Sequence, residues 1–357
     1  MTGLAFGLVA SFASGCDAGR KDDQVTEGPF VTVTGANVGS DRPLPADGTI
    51  ELAFDRLLLP SSVTRQSVQL RDSSGNPFNP VVSYDPVARI VALSNPNPAG
   101  GAWLNVGQSY SLTLPAPRDT EDSDAGTGDG VRAIDRAPLD AVYKIGFSVV
   151  AGTGTTRPES KFCRDVLPVF QERCASSSCH AAPKTVTVSP RFPDGLSKPA
   201  AGLLLETSVG VVATAVGRTA QGANTGPSAS TPRESGRVFG IDMPLVDPGN
   251  PGNSWLLYKL LLTPRPATPL PESVRPKCNG DTGTKPVSAA APDTGDMGAD
   301  ERKRLGDVVS GQPMPYPSYA SSGALVYDSA LSNEELQRIR LWIAQGARVE
   351  ECGACEN

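Results

Sequence analysis

The chain has 357 residues, with seven cysteines and one histidine. A single imidazole excludes His-rich zinc centres, non-haem iron sites with two histidines, bis-His haem and multihaem wires. The net charge of −6 argues against a nucleic-acid partner, because phosphate neutralisation needs clustered Lys and Arg. The length suggests about two to three domains. The 37 glycines and 33 prolines favour loop-rich modules joined by linkers.

The N-terminus is typical of a secretory signal. Leu4–Phe12 is apolar and too short to span a bilayer. Small residues then precede Cys16, an order that resembles the bacterial lipobox. The resemblance implies a lipoprotein signal peptide over residues 1–15, a lipid anchor on Cys16 and a polar tether over residues 16–28. An ordinary cleaved signal with an unmodified Cys16 is the alternative, and both place the mature chain outside the cytoplasm.

Residues 29–150 alternate short strand patterns with turns. Ile50–Phe54 and Tyr110–Leu114 alternate apolar and polar side chains, and Asp72–Pro77 is a strong turn signal. About seven such strands without helical periodicity predict an antiparallel β-sandwich.

The order of these segments resembles the bacterial Ig-like domain of the S-layer-associated type. The matching pieces are Pro45–Gly48, Ile50–Phe54, Ser61–Thr64, Val68–Gly75, Leu104–Leu114 and a closing strand that reaches Phe147. The resemblance implies a spacer or adhesive module without catalytic residues.

An acidic, glycine-rich loop follows inside this module. Its carboxylates do not have the spacing of a calcium-binding loop, so a solvated loop is favoured over a cation site. They are Asp119, Glu121, Asp122, Asp124 and Asp129.

A linker over residues 151–159 leads to a mostly helical region, residues 160–357. Apolar residues at helical spacing predict a helix over residues 162–173, with Ser160 as its cap. This helix leads to Cys174, and Cys179 follows with His180 directly after it. Two cysteines followed by a histidine are typical of covalent haem, in which each thiol adds to a vinyl group and the imidazole binds the iron.

The competing interpretation is a disulfide. Cys174 and Cys179 could pair with each other or with other cysteines, and His180 would then be an incidental neighbour. The spacer of four residues, longer than in C-x-x-C-H, favours this alternative. The position of the chain's only histidine directly after a cysteine pair favours haem.

Without a second histidine, a low-spin haem takes methionine as its other axial ligand. Met314, between Pro313 and Pro315, is the first candidate, with a core-filling thioether as the alternative. Met243 is the reserve. Met297 is not favoured, because it lies in a stretch that reads as flexible.

Two more helices are predicted in this region. One begins near Ser254, and the last begins at a capping box of Ser332 and Glu335 and ends at Gly346. The apolar face of the last helix is expected to pack against the first helix. That face carries Leu336, Ile339, Trp342 and Ile343.

Together these segments resemble the cytochrome c-like domain named for planctomycetes. The matching pieces are Val166–Phe170, His180, Ala201–Leu205, Val246–Pro251, Ser254–Leu260, Met314–Pro315 and Leu331–Ala347. The resemblance implies a haem c fold, His180 as the proximal ligand and Met314 as the distal ligand. Loop insertions at about 207–238 and 263–300 interrupt the compact pattern.

Four cysteines remain, Cys163, Cys278, Cys352 and Cys355, and they allow three pairings into two disulfides. Cys352 and Cys355 form a C-x-x-C at the terminus without the βαβ context of a thioredoxin site.

The sequence thus predicts a multidomain protein with an all-β Ig-like sandwich before a mostly α cytochrome c-like domain. We expect a lipid-anchored, extracytoplasmic mono-haem electron carrier that is not an enzyme and meets a redox partner protein. The alternative is a haem-free, disulfide-braced lipoprotein for adhesion or envelope scaffolding. A hydrolase is disfavoured, since no G-x-S-x-G or comparable nucleophile motif occurs.

Overall fold

The computed structural model describes residues 28–97, 101–116, 130–154, 158–175, 179–185, 196, 198–222, 239–240, 242–265, 296–319, 321, 325–326 and 330–352. The signal peptide, most of the tether, Cys16, the acidic loop, Cys278 and Cys355 lie outside these residues.

The N-terminal region forms two sheets that resemble a β-sandwich. The strands are β1 (Val33–Ala36), β2 (Leu44–Pro45), β3 (Ile50–Phe54), β4 (Gln69–Asp72), β5 (Pro77–Phe78), β6 (Val81–Asp85), β7 (Ile90–Ser94), β8 (Ser109–Leu114) and β9 (Tyr143–Val150). One sheet has the order β1-β3-β7-β6, and the other has the order β2-β9-β8-β4-β5. Pairing is antiparallel except between β2 and β9, which are parallel. The predicted antiparallel pairing is wrong at this edge, where β2 is only two residues long and Pro45 cannot donate to a further strand.

The period-two pattern of the strands sets their inward faces. Ile50, Leu52 and Phe54 are buried on β3, while the alternating residues are partly exposed. Strand β8 has the same pattern, with Tyr110, Leu112 and Leu114 buried. These side chains share one apolar cluster between the sheets.

Five helices follow in the part of the chain that the structure describes, besides 3-10 turns at Ala200–Gly202 and Pro251–Asn253. Helix α1 consists of three successive turns, with π-type hydrogen bonding over Phe162–Val166 and Phe170–Cys174 and an α-turn over Leu167–Val169 between them. The others are α2 (Ser208–Thr214), α3 (Trp255–Leu261), α4 (Ala299–Val308) and α5 (Asn333–Ala344). A short hairpin, β10 (Ser318–Tyr319) and β11 (Leu325–Val326), precedes α5.

The predicted helix starts are confirmed for α3 and α5. Ser254 is the N-cap of α3. The Ser332 hydroxyl accepts from the Glu335 amide at 3.1 Å, and the Glu335 carboxylate accepts from the Ser332 amide at 2.8 Å, which completes the capping box. Ser160 does not cap α1. Its hydroxyl donates to the Arg338 carbonyl of α5 at 2.8 Å, because the two helices pack side by side.

The predicted loop insertions contain helical structure. Helix α2 lies within the first, where the Thr207 hydroxyl accepts from the Gly210 amide at 3.1 Å and caps the helix. Helix α4 begins at the end of the second. A loop over residues 208–214 is therefore a wrong prediction, while much of both ranges lies outside the described residues.

The sandwich and the helical region are packed together. Leu57, Leu59, Val87 and Ile134 from the sandwich belong to the apolar cluster that the helices form. Arg340 of α5 also donates to the Asp85 carboxylate at 2.7 Å. The domain limits at 29–150 and 160–357 stay a prediction. The apolar cluster of the helices extends across them, while the cluster between the two sheets is separate.

Candidate haem-attachment site

Helix α1 reaches Cys174 because its apolar face is fixed against α5. The rings of Phe162 and Phe170 lie 5.5 Å and 6.1 Å from the Trp342 ring. This contact confirms the expected packing of the first helix on the last. The Arg173 guanidinium also bonds the Glu335 carboxylate at 3.1 Å, so α1 ends against the start of α5.

The segment after α1 folds back so that His180 lies over the helix end. The His180 amide donates to the Cys174 carbonyl at 3.1 Å. The Ala200 amide donates to the Cys179 carbonyl at 2.7 Å, and the Leu205 amide donates to the His180 carbonyl at 2.8 Å. Residues 200–205, which carry the predicted Ala201–Leu205 piece, thus border His180.

The imidazole of His180 is buried, with 7% of the residue exposed. Burial lowers its pKa, and the nearby carbonyls of Leu203 and Ala200 oppose that effect. Its Nδ1 has no hydrogen-bond partner. A neutral, buried imidazole with an unpartnered nitrogen is suited to bind a metal, and backbone carbonyls commonly orient such rings.

The two thiols next to His180 differ in environment. Cys174 is 6% exposed, whereas Cys179 is partly exposed. Burial raises the pKa of Cys174 to about 12, with smaller contributions in the same direction from Cys179 and Glu335. Cys174 is therefore protonated at neutral pH, and Cys179 is the more accessible thiol.

One disulfide lies in the part of the chain that the structure describes. It joins Cys163 of α1 to Cys352, with their Cα atoms 5.4 Å apart. This is one of the pairings that the sequence left open. In that pairing the second disulfide would join Cys278 to Cys355, and both lie outside the described residues. Cys174 and Cys179 remain thiols. Because disulfides persist in oxidising compartments, this pair supports an extracytoplasmic location.

The three candidate methionines all pack against the helical core that contains Cys174. Met314 is partly buried, and its amide donates to the Lys259 carbonyl at 3.2 Å. Met243 is buried. Met297 is buried as well, so the expectation of flexibility is wrong at this position. Its amide donates to the Asp296 carboxylate at 2.8 Å just before α4 begins.

The donor set fits haem better than a directly bound metal ion. Among the residues that the structure describes, no three His, Cys, Asp or Glu side chains are grouped to hold an ion. Haem does not need its cysteine sulfurs to converge on the iron, because they bond to carbon at the porphyrin edge. Two thiols outside the disulfide and an unpartnered imidazole nitrogen are the groups that covalent haem requires.

Sequence reasoning missed Lys259. It is the charged residue in the apolar run of α3 and is only 8% exposed. Burial lowers its pKa to about 8. Its ammonium donates to the Ser310 carbonyl at 3.0 Å, next to the Met314 segment. A lysine inside a hydrophobic helix was the available signal.

No protein-family model and no curated protein match the chain. Among solved structures it has distant similarity to the native conformation of E. coli alpha-2-macroglobulin, with 14% identity over 38% of this chain and a TM-score of 0.25. The S-layer protein rSbsC is similar over 49% of the chain, with 8% identity and a TM-score of 0.25. The matched regions make up only 7% and 18% of those larger chains. None of the described helices combines the length and the apolar character that a membrane span requires.

Proposed function

We propose that the chain is a lipid-anchored, extracytoplasmic electron carrier with one haem c. Cys174 and Cys179 would hold the haem covalently, His180 would be the proximal iron ligand and Met314 the distal ligand, with Met243 in reserve. The lipid on Cys16 would attach the protein to the cell envelope, where it would meet a redox partner protein.

One observation carries this proposal. The chain's single histidine directly follows a thiol pair, is buried and has an unpartnered ring nitrogen. A buried polar atom without a partner is costly in a folded protein, and a ligand at this nitrogen would offset that cost.

The chemistry of such a group is electron transfer. Held by His180 and Met314, a haem would supply reversible one-electron transfer, and the methionine sulfur would raise its reduction potential. With His180 and Met314 both holding the iron, the group would supply electron transfer, and we assign no catalytic residue.

A second function is favoured by a different observation. The Cys174 side chain already packs in the apolar core, and the spacer to Cys179 is long. A haem-free module, in which the sandwich and the disulfide-braced helical region serve adhesion or scaffolding, would need no further ligand at that place.

The deciding experiment is expression of the mature chain together with a cytochrome c maturation system. We expect a Soret band and an intact mass increased by one haem after denaturation, both lost in the double variant Cys174→Ala, Cys179→Ala. His180→Ala should lose the low-spin spectrum. The double variant Cys163→Ser, Cys352→Ser is the matched control, since it removes two other cysteines and should keep the haem. A colourless wild-type chain of unmodified mass, in cells that mature a known c-type cytochrome, would overturn the proposal.

A further inference from the structure

Lys259 touches both ends of the segment that carries Met314. Its ammonium donates to the Ser310 carbonyl at 3.0 Å, and its own carbonyl accepts from the Met314 amide at 3.2 Å. Residues 310–314, which we call the Met314 loop, are thus joined to one residue of α3 at their beginning and their end.

Two hydroxyl groups complete the attachment. The Thr263 hydroxyl, one turn beyond Lys259, donates to the Met314 carbonyl at 2.8 Å. The Ser310 hydroxyl donates to the Gly222 carbonyl at 2.6 Å. Both polar backbone groups of Met314 are therefore bonded to the end of α3.

The backbone of the Met314 loop also passes close to the Lys259 ammonium. Gly311 has a φ of +81°, and a Cβ added there would lie 3.4 Å from the Lys259 ammonium nitrogen. A glycine is suited to this backbone conformation, and it lets the chain turn over the ammonium.

An ammonium is costly in an apolar helix, so its retention needs a reason. A charge-assisted hydrogen bond to a carbonyl is stronger than a neutral one and can fix a loop against a rigid helix. Helix α3 is such a support, since all seven of its residues are buried.

We propose that Lys259 is a positioning residue that fixes the Met314 loop against α3 and so orients the Met314 sulfur. The consequence for the iron ligand rests on the proposed function, whereas the fixing of the loop does not. A purely structural lysine would affect the stability of α3 without selectively affecting the loop or the methionine.

The test compares Lys259→Met, which keeps the long apolar stem and removes the donor, with Lys303→Met on the exposed side of α4 as the control. Hydrogen–deuterium exchange of the apo chain is measured first. We expect the Met314 amide to exchange about tenfold faster in Lys259→Met, with the rest of α3 little changed. If Lys259→Met does not fold, Thr263→Val tests the same loop, and Thr263→Ser should restore wild-type exchange.

The second readout uses the haem-loaded chain. We expect Lys259→Met to weaken the charge-transfer band between methionine sulfur and ferric iron and to lower the reduction potential, while Lys303→Met changes neither. Unchanged exchange in the loop overturns the positioning role, whether or not haem binds. Faster exchange in a chain that takes no haem supports the positioning of the loop and overturns the proposed function. Faster exchange with an unchanged methionine band overturns the assignment of Met314 as the oriented ligand.

Discussion

The guanidinium of Arg56 donates to the carboxylate of Glu301, 245 residues further along the chain, at 2.9 Å and 3.1 Å. The same guanidinium donates to the buried Asp135 at 2.6 Å. Burial alone would lower the pKa of Arg56, but the two carboxylates outweigh it and raise the pKa above its ordinary value. The pair ties α4 to the sandwich at a place where both side chains are largely excluded from water.

Removing the negative charge of Glu301 should therefore destabilise the whole molecule. We expect Glu301→Gln to lower the free energy of unfolding by about 2–3 kcal/mol, since Arg56 keeps Asp135 but loses a charged partner. The exposed Asp300→Asn, one residue earlier in α4, is the control and should cost far less. Urea unfolding of the apo chain measures both. Equal effects of the two variants would contradict a buried interface pair.

Glu335 of the α5 capping box also bonds Arg173 of α1, so the box links the two helices. Ser332→Ala should cost about 1 kcal/mol through the lost cap. Glu335→Ala should cost about 2–3 kcal/mol, since it removes the box and also leaves Arg173 without this partner. Glu334→Ala, at the neighbouring position, removes only an i,i+4 ion pair with Arg338, so as the comparison it should cost less than Glu335→Ala. Chemical denaturation of the three variants gives the order, and a loss for Glu335→Ala no larger than that for Ser332→Ala would exclude the link between the helices.

The Cys163–Cys352 disulfide closes a span of 189 residues. The double variant Cys163→Ser, Cys352→Ser should lose about 2–5 kcal/mol of stability, because the unfolded chain regains freedom. Cys179→Ser, which leaves the disulfide intact, is the matched control. Thermal unfolding with and without reductant checks the result. Reductant should destabilise the control and have little effect on the double variant, and the opposite pattern would show that another pair carries the stabilisation.

Local signals in the sequence were enough for some elements. Helix α5 could be predicted because a capping box, an apolar face of period 3.6 and a terminal glycine all lie within one short segment. Helix α4 was missed because Leu305 is its one buried residue, so there is no apolar stripe to detect. The burial of Met297, just before α4, could not be predicted either, because the neighbouring helix has no apolar stripe.

The residues of the candidate site also differ in whether the sequence alone could identify them. Cys174, Cys179 and His180 are adjacent in sequence, so their type and spacing were sufficient to single them out. The link between Lys259 and Ser310 joins residues 51 positions apart, and the pair of Arg56 and Glu301 spans far more. Such contacts depend on tertiary packing, which no local pattern encodes.

The burial of His180 makes apo stability depend on pH. Because burial lowers its pKa in the folded state, the unfolded chain binds a proton first as pH falls through the ordinary value of 6.5. Stability is therefore lost on acidification below that value, by at most about 1.4 kcal/mol per pH unit from this residue. His180→Gln should flatten the profile between about pH 7 and 5.5. The attribution is direct, since the chain has one histidine. Parallel profiles for the two chains would mean that the imidazole is solvated.

The buried ammonium of Lys259 makes the stability of the apo chain depend on pH on the alkaline side. Its pKa is lowered by burial from the ordinary 10.5 to about 8, so the cost of burying its charge is fully present below pH 8. Above that value the folded chain gives up the proton before the unfolded chain does, and stability contributed by this residue rises with pH. The rise is at most about 1.4 kcal/mol per pH unit. Unfolding of the apo chain between about pH 8 and 9.5 should show this gain relative to Lys259→Met, whose other titrating groups are the same. Lys303→Met should follow the wild type, because it keeps the buried ammonium. If the Lys259→Met profile is parallel to that of the wild type, Lys259 is charged and solvated in the folded chain throughout this range.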